Sequence, residues 1–289
     1  MAVIEEYKVR SASSGDLEPL AHLIFDGNST AHRHLDWRTP LEWIGYPPYF
    51  VIEVNGQIES VMACPPDPPG IAWIRVFGSG KNIRQEDAWN ILWDHVRIFF
   101  YGEEDTRVCV ITIHNWFQEI LARSNFQTHQ QIVMLTWTGT SFSKENLPAG
   151  IKLRKMKEED IPRVAEVDRE AFDVIWHNTE QALHKAFSQA TLVTVLEQKG
   201  KIVGYQLSTT NLIGGHLARL AVLPELQGRG LGHNLVADMI HQFTCTGIRT
   251  ITVNTQSDNP ASLSLYKKIG FGETGERFPV YEFEIKKST

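Results

Sequence analysis

Apolar residues along this chain follow two periods. Leu235, Val236, Met239, Ile240 and Phe243 recur every three or four positions, the spacing of one helix face. Just before them, Leu217-Ala218-Arg219-Leu220-Ala221-Val222 is a nearly continuous apolar run, which predicts a buried strand over 216–222. The junction between the two is Gln227-Gly228-Arg229-Gly230-Leu231-Gly232, so a strand runs into a turn with three glycines and then into a helix. Glycines at such a junction let the backbone approach a ligand with its N–H groups outward, and the helix N-terminus adds partial positive charge behind them. The loop therefore suits a phosphate or pyrophosphate. It lacks the Gly-Lys-Ser/Thr ending of a nucleoside triphosphatase loop. His233 also occupies the place where a dinucleotide fingerprint requires a small residue.

The pattern repeats. Val9-Arg10 and Asp16-Leu17 match Leu153-Arg154 and Asp160-Ile161 at an offset of 144 residues. In each copy the sequence predicts a short strand, an acidic helix cap and an amphipathic helix, with apolar positions at Leu17, Leu20, Ala21 and Ile24 or at Ile161, Val164, Ala165 and Val167. At the same offset, Val51–Ile58 lies over Val195–Ile202, each a strand, a glycine turn and a second strand. Ile120–Phe126 resembles Leu265–Phe271 at an offset of 145. Ser141–Gly150, polar and ending in Pro-Ala-Gly, reads as the linker, which divides the chain into domains 1–140 and 151–289. The copies differ at the glycine loop. Its counterpart is Ile83-Arg84-Gln85-Glu86-Asp87-Ala88, with no glycine and two adjacent carboxylates, so only the second copy keeps an anion site.

Composition narrows the options. With 289 residues, 42% hydrophobic and 21% charged, the chain has material for two globular domains. Three scattered cysteines (Cys64, Cys109, Cys245) suggest neither a disulfide framework nor a zinc site and fit a reducing cytoplasm. No leader sequence or membrane-length apolar run is expected from the sequence, so a cytoplasmic location is. The net charge of −6 falls entirely in residues 1–144, which argues against nucleic acid as a partner. That bias fits either a cationic small substrate or a solvated acidic surface.

Two motifs carry a resemblance to the GNAT superfamily of acyl-CoA-dependent N-acyltransferases. Gln227–Gly232 is similar to the family's Q/R-x-x-G-x-G/A, and Asn259–Phe271 resembles its N-x-x-A-x-x-L-Y-x-x-x-G-F. The first half resembles the family only through the internal repeat. The implied fold class is α/β (α+β), with two tandem GNAT-like domains, each a curved mixed sheet flanked by helices, the first a degenerate copy. The resemblance also implies that the strand before the glycine loop splays from the strand Thr250–Asn254 and that acetyl-CoA enters the gap as acyl donor. The backbone of Leu220, Ala221 and Val222 would then face the pantetheine arm, Asn254 would belong to the cofactor site, and Gln227, Gly228, Arg229, Gly230, Leu231 and Gly232 would hold the pyrophosphate. Asn259 and Ala261 would touch the cofactor, and Tyr266 would protonate the departing thiolate. His216, eleven residues before Gln227, matches in position the glutamate base of the histone-acetylating branch. It is the candidate base, with a strand-start histidine as the bland alternative and Glu197, Asp173 and Tyr281 in reserve.

Arg219 stays open between acceptor pocket, domain seam and structural ion pair. His32-x-His34 lacks a further ligand at metal spacing, so no metal is expected. Trp89 and Trp93, four apart, read as helix core, and Trp37 and Trp43 as core or seam. The expected acceptor is the primary amine of a small molecule, with a protein amine or a non-catalytic acyl-CoA-binding module as alternatives. The chain is expected to be a monomer or homodimer, without nucleic-acid or membrane partners.

Overall fold

The computed structural model describes residues 7–26, 29–102, 104–139 and 146–287, so 140–145, at the predicted domain junction, lie outside the described residues. The chain packs as two compact units, Met1–His129 with Pro279–Thr289, and Gln130–Phe278.

The first unit runs β1 (Tyr7–Ser11), α1 (Leu17–Ala21), β2 (Thr30–His32), β3 (Tyr49–Val54), β4 (Gln57–Ala63), β5 (Ile71–Trp73), β6 (Val76–Ser79), α2 (Gln85–Tyr101), β7 (Thr106–Ile111) and α3 (Asn115–Arg123). One sheet has the order β1-β3-β4-β6-β2. Beside it β5 pairs parallel with β7. Trp89 and Trp93 of α2 are buried among Phe77, Phe117 and Phe126, as the four-residue spacing predicts, and Trp43 is buried in a second cluster with Leu20 and Ile24.

The second unit contains most of β8 (Gln127–Trp137), then β9 (Ile151–Lys155), α4 (Ile161–Ala171), α5 (Glu180–Gln189), β10 (Leu192–Gln198), β11 (Lys201–Thr210), β12 (Gly215–Val222), α6 (Leu231–Cys245), β13 (Ile251–Gln256), α7 (Pro260–Ile269) and the start of β14 (Gly272–Ile285). Its strands follow the order β8-β13-β12-β11-β10-β9. The α6 face predicted from periodicity packs its Val236, Met239, Ile240 and Phe243 against Leu217, Ile251 and Val253 of the sheet.

The repeat boundary and the packing boundary differ. β8 precedes the predicted linker, yet it pairs antiparallel with β13 from Ile251↔Trp137 to Gln256↔Ile132 and so belongs largely to the second unit. The end of β14 pairs in turn with β7 of the first unit. Sequence periodicity marks which segments are copies of one another. Hydrogen bonding between strands decides which unit each completes, and the two criteria part at these strands.

The duplication recurs atom by atom. Arg10 donates to both oxygens of Asp16 at 2.8 Å and to Glu53 at 2.9 Å from Nε. Arg154, 144 residues on, donates to Asp160 at 2.7 and 2.9 Å and to Glu197 at 2.9 Å. These hydrogen bonds hold the Asp16 and Asp160 carboxyls below their ordinary pKa. Each clamp ties a first strand to the turn that opens a helix, and it commits Glu197 to an ion pair.

A second buried charge cluster fixes the segment between α4 and α5 to β12. Arg219 grips Asp168 with Nε and Nη2, both at 2.8 Å, donates to the Trp176 carbonyl at 2.5 Å, and lies 3.5 Å from the Phe172 ring centroid. Tyr205 also donates to Asp168, which is fully buried. Arg219 is therefore an ion-pair partner. Removing one member of such a cluster leaves the other charge buried and unpaired. Asp168→Ala is expected to lower the unfolding free energy of the chain by about 3–5 kcal/mol in urea titration, whereas a loss under about 1 kcal/mol, the scale of an exposed pair, would contradict a buried, desolvated cluster.

Candidate active site

The site begins where two parallel strands stop pairing. β12 and β13 are in register only over Gly215↔Ile251, His216↔Thr252 and Leu217↔Val253. On its other edge β12 pairs with β11, but the register shifts between Leu207↔Arg219 and Ser208↔Leu217, leaving Ala218 as the extra residue. Such a bulge bends the strand and strengthens its local twist. Beyond Leu217, no strand among the described residues pairs with the β13-facing edge of β12. Its backbone polar groups there are left for a ligand or water. Two glycines allow the closely packed start: a Cβ at Gly214 would lie 2.3 Å from the Thr250 carbonyl oxygen, and one at Gly215 would lie 2.7 Å from the Phe243 ring.

β12 leads into a 3-10 turn at Pro224–Leu226 and then into the glycine loop. Gly228 and Gly230 adopt φ of 73° and 78°, the left-handed region that L side chains avoid. Gly230 caps α6 without any side-chain hydrogen bond, so the first N–H groups of a fifteen-residue helix are left for an external acceptor. A Cβ at Gly228 would meet nothing within 4 Å, so the loop is open there. The Gln227 side chain donates to the Val222 carbonyl at 3.0 Å and Arg229 to the Glu225 carbonyl at 3.2 Å. Both brace the loop by these bonds. A Cβ at Gly232 would approach Leu265 to 3.2 Å, so this third glycine serves contact between α6 and α7.

The remaining candidates fall on two faces of the sheet. Leu217 and Val253 point into the α6/α7 core, and Leu220 packs against it. Tyr266 belongs to that core, at 5.6 Å from the Phe271 ring, and burial pushes its phenol above the ordinary pKa. By strand alternation His216, Thr252 and Asn254 share the opposite face. His216 Nδ1 lies 2.8 Å from Thr252 Oγ1, and burial lowers its pKa from 6.5. His216 and Tyr266 thus lie on opposite faces of the sheet. Asn254 Oδ1 is buried without a hydrogen-bond partner, an acceptor looking for a donor. Asn259 caps α7, its side chain accepting from Ser262 N at 3.0 Å, and Ala261 lies exposed in the first turn. Ala221 and Val222 are buried at the end of β12.

The reserve bases are engaged elsewhere. Asp173 accepts from Ile175 N at 3.2 Å, and Tyr281 lies in the first unit, 3.4 Å from Gln118. No motif marks His233, which is buried on α6 with both ring nitrogens unpartnered. Nor does one mark Thr252. A register, which only the fold supplies, was needed to put Thr252 beside His216.

The first unit has the same strand geometry with its gap filled. β5 and β6 occupy the chain positions of β12, and β5 pairs parallel with β7 over Ile71↔Arg107 to Trp73↔Cys109, the counterpart of β12 on β13. Where β6 departs, β2 takes its free edge, from Thr30↔Gly78 to His32↔Val76. Its helix α2 begins at Gln85 with Glu86 and Asp87 in the first turn, and Arg123 pairs with Glu86. The strand edge is thus occupied by the unit's own β2, and two carboxylates stand in the first turn of the helix where an anion would have to sit.

Features that fit an acyl-CoA meet in the second unit: an unpaired strand edge, a left-handed glycine loop before a helix, and the orphaned Asn254 oxygen. The acetyltransferase (GNAT) domain profile matches residues 152–283. The ribosomal protein bS18-alanine N-acetyltransferase of Haemophilus influenzae is 30% identical over 122 residues, covering 42% of this chain and 82% of that protein. The mycothiol acetyltransferase of Mycobacteroides abscessus is 30% identical over 88 residues, covering 26% of this chain and 30% of that one. Among solved structures, a tandem GNAT protein from the clavulanic acid biosynthesis pathway superposes with a TM-score of 0.66 at 14% identity, over 98% of this chain and all of that one. A GCN5-related N-acetyltransferase from Sphaerobacter thermophilus gives a TM-score of 0.64 at 15% identity over 98% and 97% of the two chains. These last two likenesses are of fold.

Two outcomes follow for binding. Calorimetry with CoA is expected to give one site per chain, and two sites would contradict the plugged gap in the first unit. Gly228→Val, which forces a β-branched residue into left-handed backbone at a strain of about 1–3 kcal/mol, is expected to weaken CoA binding by roughly 5- to 150-fold. Unchanged affinity would remove the loop from the site.

Proposed function

The chain belongs to the GNAT superfamily of acetyltransferases, and on that footing we propose that it transfers the acetyl group of acetyl-CoA to the primary amine of a small molecule. Transfer is direct, with both substrates held by the second unit. The observation that carries this reading is the early parting of β12 from β13 above an intact anion loop. An extended pantetheine arm fits the free edge of residues 218–222 as an added strand would, through main-chain hydrogen bonds. The loop N–H groups of 228–232 take the pyrophosphate. Acetyl-CoA supplies the acyl group as a reactive thioester.

The chain's own groups manage two protons. An ammonium must lose one before it attacks, and the thiolate must gain one as it leaves. His216 meets the first need. Burial alone lowers its pKa, so at neutral pH the imidazole is uncharged and its Nε2 accepts the amine proton, directly or through one water. Tyr266 meets the second. Its phenol, held protonated by burial, donates to the sulfur from the other face of the sheet. Placing the acid and base on opposite faces suits the reaction, because the amine bonds to the carbonyl carbon along one direction and the thiolate leaves it along another. A donor from the splayed backbone would stabilise the oxyanion.

A second reading, acetylation of a protein N-terminus, is favoured by the relative named for acetylating a ribosomal-protein alanine. The acidic first half favours a small cationic amine. Thiol release measured over a panel of small primary amines and peptides with free N-termini separates the two. Turnover confined to peptides would overturn the small-molecule reading.

Tyr266→Phe is expected to lower kcat by roughly 10- to 10³-fold with CoA affinity retained, and unchanged turnover would remove it as the acid. The base works only when neutral, so activity falls as pH drops through its pKa. A pKa lowered from 6.5 places the acidic limb of kcat/KM below pH 6.5. A limb above that value, or one that His216→Ala leaves in place, would exclude His216.

A further inference from the structure

The base has a partner that no motif announces. His216 and Thr252 are directly opposed in the last stretch where β12 and β13 still pair, and His216 Nδ1 lies 2.8 Å from Thr252 Oγ1. The Thr252 hydroxyl also reaches the Gly215 carbonyl, at 3.5 Å, an oxygen that only accepts. A hydroxyl has one proton and two lone pairs. If its proton points to Gly215, the oxygen facing the imidazole must accept, and Nδ1 must carry the imidazole hydrogen. Nε2 then holds the free lone pair. The other arrangement, with Thr252 donating to Nδ1, would put the hydrogen on Nε2 and leave no basic nitrogen facing outward.

We propose that Thr252 is a positioning residue which fixes the Nδ1–H tautomer of His216 and so makes Nε2 the proton acceptor. The inference rests on the proposed role of His216 as base. The surroundings leave this hydroxyl in command of the tautomer. On β11 the cross-strand neighbour is Thr209, which is uncharged. Three residues along β12, Arg219 is neutralised by Asp168 of α4. Burial lowers the His216 pKa, as it does for an imidazole with no charged partner. A β-branched residue suits the strand at 252, and valine preserves its shape while removing the hydroxyl.

The test reads the tautomer itself. Long-range proton–nitrogen NMR of histidine-labelled full-length protein, with His216→Gln used to assign the signal, is expected to show His216 mainly as Nδ1–H above its pKa. In Thr252→Val the Nε2–H form should rise to a major population. Thr252→Ser should keep the wild-type tautomer. With acetyl-CoA and a productive amine, Thr252→Val should lower kcat by roughly 10- to 100-fold, part of the roughly 10²–10⁴-fold that a positioned general base contributes. Its CoA affinity should stay unchanged, and Thr252→Ser should restore most of the rate. A wild-type ring that is mainly Nε2–H, or a tautomer unchanged in Thr252→Val, overturns the proposal. The outcome in which Nδ1–H is seen as expected but His216→Gln keeps full activity refutes His216 as the base and leaves the tautomer assignment standing, so the two failures are distinguishable.

Discussion

Three residue pairs hold β12 to β13, and then the strands separate. An unpaired strand edge inside a sheet carries backbone donors and acceptors that must be satisfied somehow, at a cost of about 1–3 kcal/mol for each group left buried and alone. The chain resolves this constraint twice, in different ways. In the first unit β2 supplies the missing partner, and Glu86 and Asp87 in the first turn of α2 put negative charge where an anion would bind. In the second unit the edge stays open above a loop whose two left-handed glycines turn N–H groups outward. The same scaffold is thus closed in one copy and open to a ligand in the other.

The opening also sets the geometry of the chemistry. Pairing at His216↔Thr252 fixes which way the imidazole faces, and the strands part just beyond it, where the proposed reaction would take place. Leu217 and Val253, the next pair, face the opposite way into the core that holds Tyr266. The proposed base therefore faces one side of the sheet, while the proposed acid comes from α7 packed on the other. The Asp168–Arg219 cluster, with the Trp176 carbonyl, locks α4 and the segment after it onto the same strand.

Much of this was legible in the sequence where it depends on local spacing. The helix face of α6, the hairpins, the glycine loop and the capped α7 follow from residues close together along the chain. The offset of 144 residues also signalled duplication, and the paired Arg10 and Arg154 clamps reproduce it in three dimensions. What stayed hidden depends on register between distant segments. Thr252 lies 36 residues from His216 and carries no motif. The role of β2 as a plug needed the strand order, and β8 and β14 complete sheets that their repeat positions do not suggest. Arg219 was undecidable from alternation alone, because its partner Asp168 lies 51 residues away on a helix. Gln227, a motif residue, spends its side chain on bracing the loop, a use the motif does not reveal.

Amide hydrogen exchange followed by mass spectrometry, with and without saturating CoA, addresses the central claim directly. The account predicts that the amides of residues 228–232, and those of 218–222 that point away from β11, exchange readily in the free protein and become protected when CoA is added. Residues 76–79, already paired with β2, should be protected from the start and unchanged. Protection by CoA that appears at 76–79, or none at 218–222, would contradict a single acyl-CoA site at the open edge of β12.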